Sequence, residues 1–101
     1  MNDRIADLQQ LVELTRAMLE KAQVSLWEEV IALEANRRER ISAFFLTPVE
    51  PELVSPVAES IRNILAMDHE IATLGLAEKQ EASLALRQME QGKKAVKAYS
   101  I

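Results

Sequence analysis

From Ile5 to Phe45 the chain contains neither glycine nor proline, and its apolar residues keep one helical phase throughout. Ile5, Leu8, Leu11, Val12, Met18, Leu19, Ala22, Leu26, Val30, Leu33, Ile41 and Phe44 fall on one side of a helix turning about 100° per residue, with Thr15 among them. A stripe that long forces its carrier to pack against something over its whole length. One interruption competes with continuity: Ser25 followed by Glu28 matches a capping box that restarts a helix just before Trp27. Because the stripe holds its phase through Val24-Ser25-Leu26, the pattern predicts one continuous or gently kinked helix over about 3–45.

Thr47-Pro48-Val49-Glu50-Pro51-Glu52 ends that helix, since two prolines remove donors and push the residues before them toward extended geometry. The loop is placed at 46–55. Ser55-Pro56 then reads as an N-cap followed by proline at the first helical position, opening a second helix over about 56–91. Its stripe runs Val57, Ile61, Ile64, Leu65, Asp68, Ile71, Gly75, Ala82, Leu86, Met89 and Val96. Gly75 is a point of weakness near its middle, and Gly92 loosens its end and opens a C-terminal segment, 92–101. The expected fold is all-α, an antiparallel hairpin of two long helices or small helical bundle, with room for a short C-terminal helix, in a single domain spanning 1–101.

An antiparallel hairpin fixes a register. With the turn centred near Glu50-Pro51, Trp27 lies level with Gly75, and Arg37 lies within about one turn of Asp68. Gly75 is therefore expected to leave room for the Trp27 indole, and Arg37 to pair with Asp68 inside the seam. These four are assigned structural roles.

The chemistry of the remaining side chains points away from catalysis. The lone histidine, His69, lies opposite the second helix's stripe, with no cysteine in the chain and no metal-ligand spacing near it. The carboxylates Glu28, Glu29, Glu34 and Glu39 alternate with Arg37, Arg38 and Arg40 at spacings typical of solvated side-chain pairs. No catalytic residue, metal ligand or cofactor is assigned. The net charge of −4 argues against a general binder of nucleic acid or anionic membrane. The short clusters Arg37-Arg38-Glu39-Arg40 and Lys93-Lys94-x-x-Lys97 lack a DNA-binding pattern around them, and lysines near a helix C-terminus suit its dipole. Early charges at Asp3, Arg4 and Asp7 are unlike a signal peptide, and no apolar run has membrane-spanning length, so the cytoplasm is the expected location.

A second apolar layer remains. Leu11, Leu14 and Met18 widen the first stripe, while Met67 and Leu74 lie off the second. Two helices cannot cover both layers, which leaves three outcomes: a C-terminal fold-back, a homodimer, or a groove open to another protein's amphipathic helix. On the last reading these five residues form the groove.

The residues Met18-Leu19-x-x-Ala22, Trp27-Glu28, Val30, Leu33-Glu34, Arg37, Ile41 and Phe45 resemble the first half of the FliT-type flagellar export chaperones. Ile64-Leu65-x-x-Asp68-x-x-Ile71 and Gly92-x-x-x-Val96-x-x-Tyr99 are similar to the second half. The resemblance implies a non-enzymatic chaperone of type III (flagellar) export that holds the C-terminal amphipathic segment of the filament-cap protein FliD and prevents premature assembly. It further implies contacts with the export ATPase complex or the FlhDC regulator, and a C-terminal cover over the groove, here carried by Val96 and Tyr99. The competing reading is a structural helical-hairpin module for dimerisation or adaptor work.

Overall fold

The computed structural model describes residues 3–98, with side chains through Lys94. Three α-helices and one short 3-10 turn account for the architecture: α1 spans Arg4–Gln23, α2 Trp27–Phe44, and α3 Val54–Ala98, preceded by the 3-10 turn Pro51–Leu53. No strand occurs among the described residues.

The continuous helix expected over 3–45 is broken. Ser25 adopts φ 61°, the left-handed region that a non-glycine residue enters at a cost of about 1–2 kcal/mol. Around it, the Leu26 amide donates to the Lys21 carbonyl at 2.9 Å and the Ser25 amide to the Ala22 carbonyl at 3.1 Å. This is the paired 6→1 and 5→2 pattern of a Schellman helix end, with serine in the position glycine usually takes. Ser25 is therefore the residue that terminates α1 and does not cap α2. The N-cap of α2 is Leu26, which makes no side-chain cap hydrogen bond. The chain reverses here, so one long helix becomes an antiparallel pair. Arg40 Nη1 donates to Gln10 Oε1 at 2.7 Å and Lys21 Nζ lies 3.6 Å from Glu29 across that pair.

The second expected helix also has different bounds. The 3-10 turn runs directly into α3, which begins at Val54 and not at Pro56; a proline in the first helical turn removes only a donor that lacks an intrahelical acceptor. At the other end α3 passes both Gly75 and Gly92 without a break, so the separate segment expected from residue 92 continues α3 as far as Ala98.

α1 packs against both α2 and α3, whereas the α2 and α3 backbones hardly approach each other. The third element needed to cover the second apolar layer thus comes from the N-terminal stretch folding on itself. Two apolar clusters form. Near the proline loop, Leu8, Phe44, Leu53 and Val57 are buried together with Val49 against them. Near the α1–α2 turn, Met18, Ala22 and Val30 are buried beneath Trp27, Leu33, Ile71 and Leu74. The proline loop is tied back to the start of α1, where the Arg4 guanidinium lies 4.3 Å from the Phe44 ring centroid and donates from Nη2 to the Thr47 carbonyl at 3.2 Å.

With 45 residues, α3 is about 67 Å long, more than twice the reach of 20-residue α1. It outruns its neighbours, and from Lys79 to Lys94 every side chain is exposed. The molecule measures 78 × 20 × 20 Å. None of its helices among the described residues is long and apolar enough to cross a membrane.

Candidate functional site

Between the two apolar clusters lies a polar layer with one residue from each helix. Thr15 on α1 is fully buried, and its hydroxyl donates to the Leu11 carbonyl at 2.9 Å. The same oxygen accepts from Arg37 Nη1 on α2 at 3.2 Å. Arg37 Nη1 also donates to Asp68 Oδ1 on α3 at 2.7 Å. The side chains of Arg37 and Asp68 retain 13% and 33% exposure, so the layer is buried at Thr15 and opens toward solvent at the ion pair. Because α2 and α3 hardly meet at backbone level, this pair and Trp27 provide long side-chain bridges between them. The Trp27 indole packs 3.5 Å from where a Cβ on Gly75 would sit, and its Nε1–H donates to Glu78. Neither Thr15 as a hydrogen-bonding member of the layer nor Glu78 as the indole's partner was singled out by periodicity, which sees only the face a residue occupies.

Directly beside the polar layer is an apolar groove of about 240 Å³. Its floor is made by Leu8 and Leu11 of α1; Ile41 of α2 and Phe45 just past its end line it on one side, and Ser60, Ile61, Ile64 and Leu65 of α3 on the other. Arg37 and Asp68 bound it at the end away from the proline loop. Three of its lining residues are well exposed, Phe45 at 47%, Ile61 at 40% and Leu65 at 60%. The groove exists because α2 and α3 flank α1 without closing on each other. A second depression, lined by Leu76, Lys79, Gln80, Ser83, Leu84 and Arg87, draws all its walls from one helix and so has no floor on which to seat a ligand.

Of the five residues assigned to a groove from the sequence, Leu11 alone lines this one. Leu11 and Met18 are each 3% exposed and belong to the interior, Leu11 serving as floor. Leu14, Met67 and Leu74 are half-buried, with Leu74 packed against the cluster nearer the α1–α2 turn. The cause is the third helix: with α1 and α2 separate, the layer that two helices would leave open is largely covered. The assigned cover residues are not placed by the structure, since the Val96 side chain and all of Tyr99 lie outside the described residues.

The basic run on α2 is dispersed around the helix. Arg37 enters the polar layer, Arg38 pairs with Glu34 at 2.8 Å, and Arg40 binds Asn36 and Gln10. His69 is exposed on α3, where its carbonyl accepts from the Thr73 hydroxyl at 2.9 Å.

Comparison with protein families gives one match: the model described as Flagellar protein FliT aligns with residues 5–100, nearly the whole chain and all three helices. No match is found among curated proteins or among solved structures.

Proposed function

The chain belongs to the FliT family, a family of flagellar export chaperones, and from that membership we propose that its groove between α2 and α3 receives an amphipathic helix of an export substrate, the C-terminal segment of the cap protein FliD. The observation that carries this reading is the open apolar lining. Phe45, Ile61 and Leu65 stand about half exposed above a fully formed floor, an arrangement that stays costly in water until another apolar surface covers it. A helix laid into such a groove by its i, i+3, i+4 and i+7 side chains supplies that surface. Covering the exposed part of each of those three side chains contributes on the order of 1 kcal/mol. The substrate gains more than affinity, because its own apolar face is hidden from self-assembly while it waits in the cytoplasm.

Light scattering with and without a FliD C-terminal peptide tests this. A peptide-dependent increase in mass is expected for the full chain, and loss of that increase for Phe45→Glu/Leu65→Glu, whose substituted positions are exposed and leave helicity intact. Unaltered binding by the folded double variant would sink the assignment of this groove.

A second reading, a structural dimerisation module, is favoured by the exposed Leu84, Leu86 and Met89 on the projecting end of α3. It requires a stable self-dimer that is indifferent to the peptide.

A further inference from the structure

We propose that the Arg37–Asp68 pair makes the groove selective for a helix that carries a side-chain amide, asparagine or glutamine, about two turns along from its first apolar contact. This rests on the reading of the groove as a helix-docking site and names the chemistry of the occupant.

Arg37 donates from Nη1 to both Thr15 and Asp68. Its Nε–H and the two protons of Nη2 make no hydrogen bond among the described residues, and Asp68 Oδ2 likewise has none. Both side chains line the groove and keep 13% and 33% of their surface exposed, where water reaches them. A docked helix displaces that water. The donors and the acceptor at the groove's end then need partners from the ligand, or the ligand loses the affinity its apolar residues provide.

Four kinds of side chain can be compared at that point. A leucine leaves both members of the pair unsatisfied on their ligand-facing sides. A carboxylate accepts from Arg37 but sets a second negative charge beside Asp68. An ammonium donates to Asp68 but faces the Arg37 guanidinium. An amide meets both, its carbonyl accepting from Arg37 and its NH2 donating to Asp68. It also adds no charge to a pair that is already neutral. Position follows from the helices themselves: from Phe45, at the C-terminal end of α2, back to Arg37, and from Ile61 to Asp68 along α3, the span is in each case roughly 11 Å, about two turns. The apolar compartment therefore admits two turns of apolar contacts before the polar end is reached, which sets the register of the docked helix.

The test uses the full chain and a series of capped synthetic helical peptides sharing one apolar face, with Gln, Glu or Leu two turns from its first residue. The FliD C-terminal peptide serves as reference, and affinities are read by fluorescence anisotropy. The glutamine peptide is expected to bind on the order of tenfold more tightly than the leucine peptide, with the glutamate peptide also weaker than glutamine. Equal or better binding of the leucine or glutamate peptide overturns the proposal while leaving the docking site in place; failure of every peptide, the reference included, overturns the docking reading itself. In Arg37→Met/Asp68→Leu the order is expected to invert in favour of leucine, and retention of the glutamine preference there counts against the pair as its source. The comparison on the unaltered chain decides the matter without requiring that variant to fold.

Discussion

The two halves of α3 carry the same stripe and meet opposite fates. Up to Glu78 the stripe residues Val57, Ile64, Asp68, Ile71 and Gly75 face α1 and α2; beyond it, Ala82, Leu86 and Met89 continue in phase along a helix that packs against no other element among the described residues. The difference lies in the neighbours' length and not in the pattern. α1 and α2 end at the turn around Ser25, level with the middle of α3, so burial stops there while periodicity runs on. An amphipathic stripe therefore states what a helix is able to bury, and its partners decide how much of it is buried. Folding stability is accordingly concentrated in the bundle, with the projecting half of α3 at the low end of local stability.

The largest expected effect separates these halves directly. Leu8 is 4% exposed beneath the groove, whereas Leu86 is 61% exposed. Leu8→Ala is expected to cost about 2–5 kcal/mol in urea unfolding followed by helical circular dichroism. Leu86→Ala should stay within about 0.5 kcal/mol of the unaltered chain. A comparable loss at Leu86 would mean that the projecting half is packed in solution, by self-association or by folding back.

Next in size is the polar layer, which belongs wholly to the bundle. Arg37→Ala or Asp68→Ala removes a charge-assisted hydrogen bond and is expected to cost about 1.5–3 kcal/mol. In a double-mutant cycle the second substitution should cost much less than it does alone. Additive losses would show that the pair contributes no coupling, and that the two helices are held by Trp27 and the loop instead.

How far these regions could be read from the sequence depends on what marks each one. The register across the proline loop was legible because two prolines fix where the chain turns, and equal distances from a turn bring residues level. Arg37 meets Asp68 and Trp27 meets Gly75 in that register. The reversal at Ser25 was not legible. A left-handed serine carries no glycine signal, and the stripe keeps its phase on both sides of the break, so periodicity argues for continuity where the chain turns back. The consequence reaches the site: a two-helix picture leaves Leu11 and Met18 uncovered, while in three helices they are interior. Ile41, Ile61, Ile64 and Leu65, read as ordinary stripe members, instead line the groove that α2 and α3 leave between them. Thr15 was visible as part of a stripe, but its hydroxyl's place between Leu11 and Arg37 depends on a third helix that the pattern did not reveal.

The turn that sets where α3 loses its neighbours is itself open to test. Ser25 has φ 61° and its side chain makes no hydrogen bond among the described residues. Ser25→Gly relieves the left-handed strain but adds freedom to the unfolded chain, leaving an expected gain of up to about 1 kcal/mol. A higher urea midpoint with unchanged denaturant slope would match that expectation. A loss of stability would mean that the serine side chain holds the turn in a way its backbone geometry does not require.

The smallest effect gives the finest separation of the two halves, because it makes the same substitution in each. Glycine within a helix is less favourable than alanine by about 0.5–1 kcal/mol, for reasons of backbone entropy that do not depend on contacts. At Gly75 a new Cβ would lie 3.5 Å from Trp27, an ordinary van der Waals separation, so Gly75→Ala fits without moving the indole. That helix segment unfolds together with the bundle, and its gain should appear as a raised urea midpoint. At Gly92 a Cβ meets nothing within 4 Å, and Gly92→Ala is equally well tolerated. Its gain falls on a segment that opens and closes apart from the bundle. It should increase amide protection around residue 92 and leave the global midpoint in place. If Gly92→Ala raised the midpoint as much as Gly75→Ala, the two halves of α3 would be one cooperative unit, and something would have to accompany the projecting half in solution.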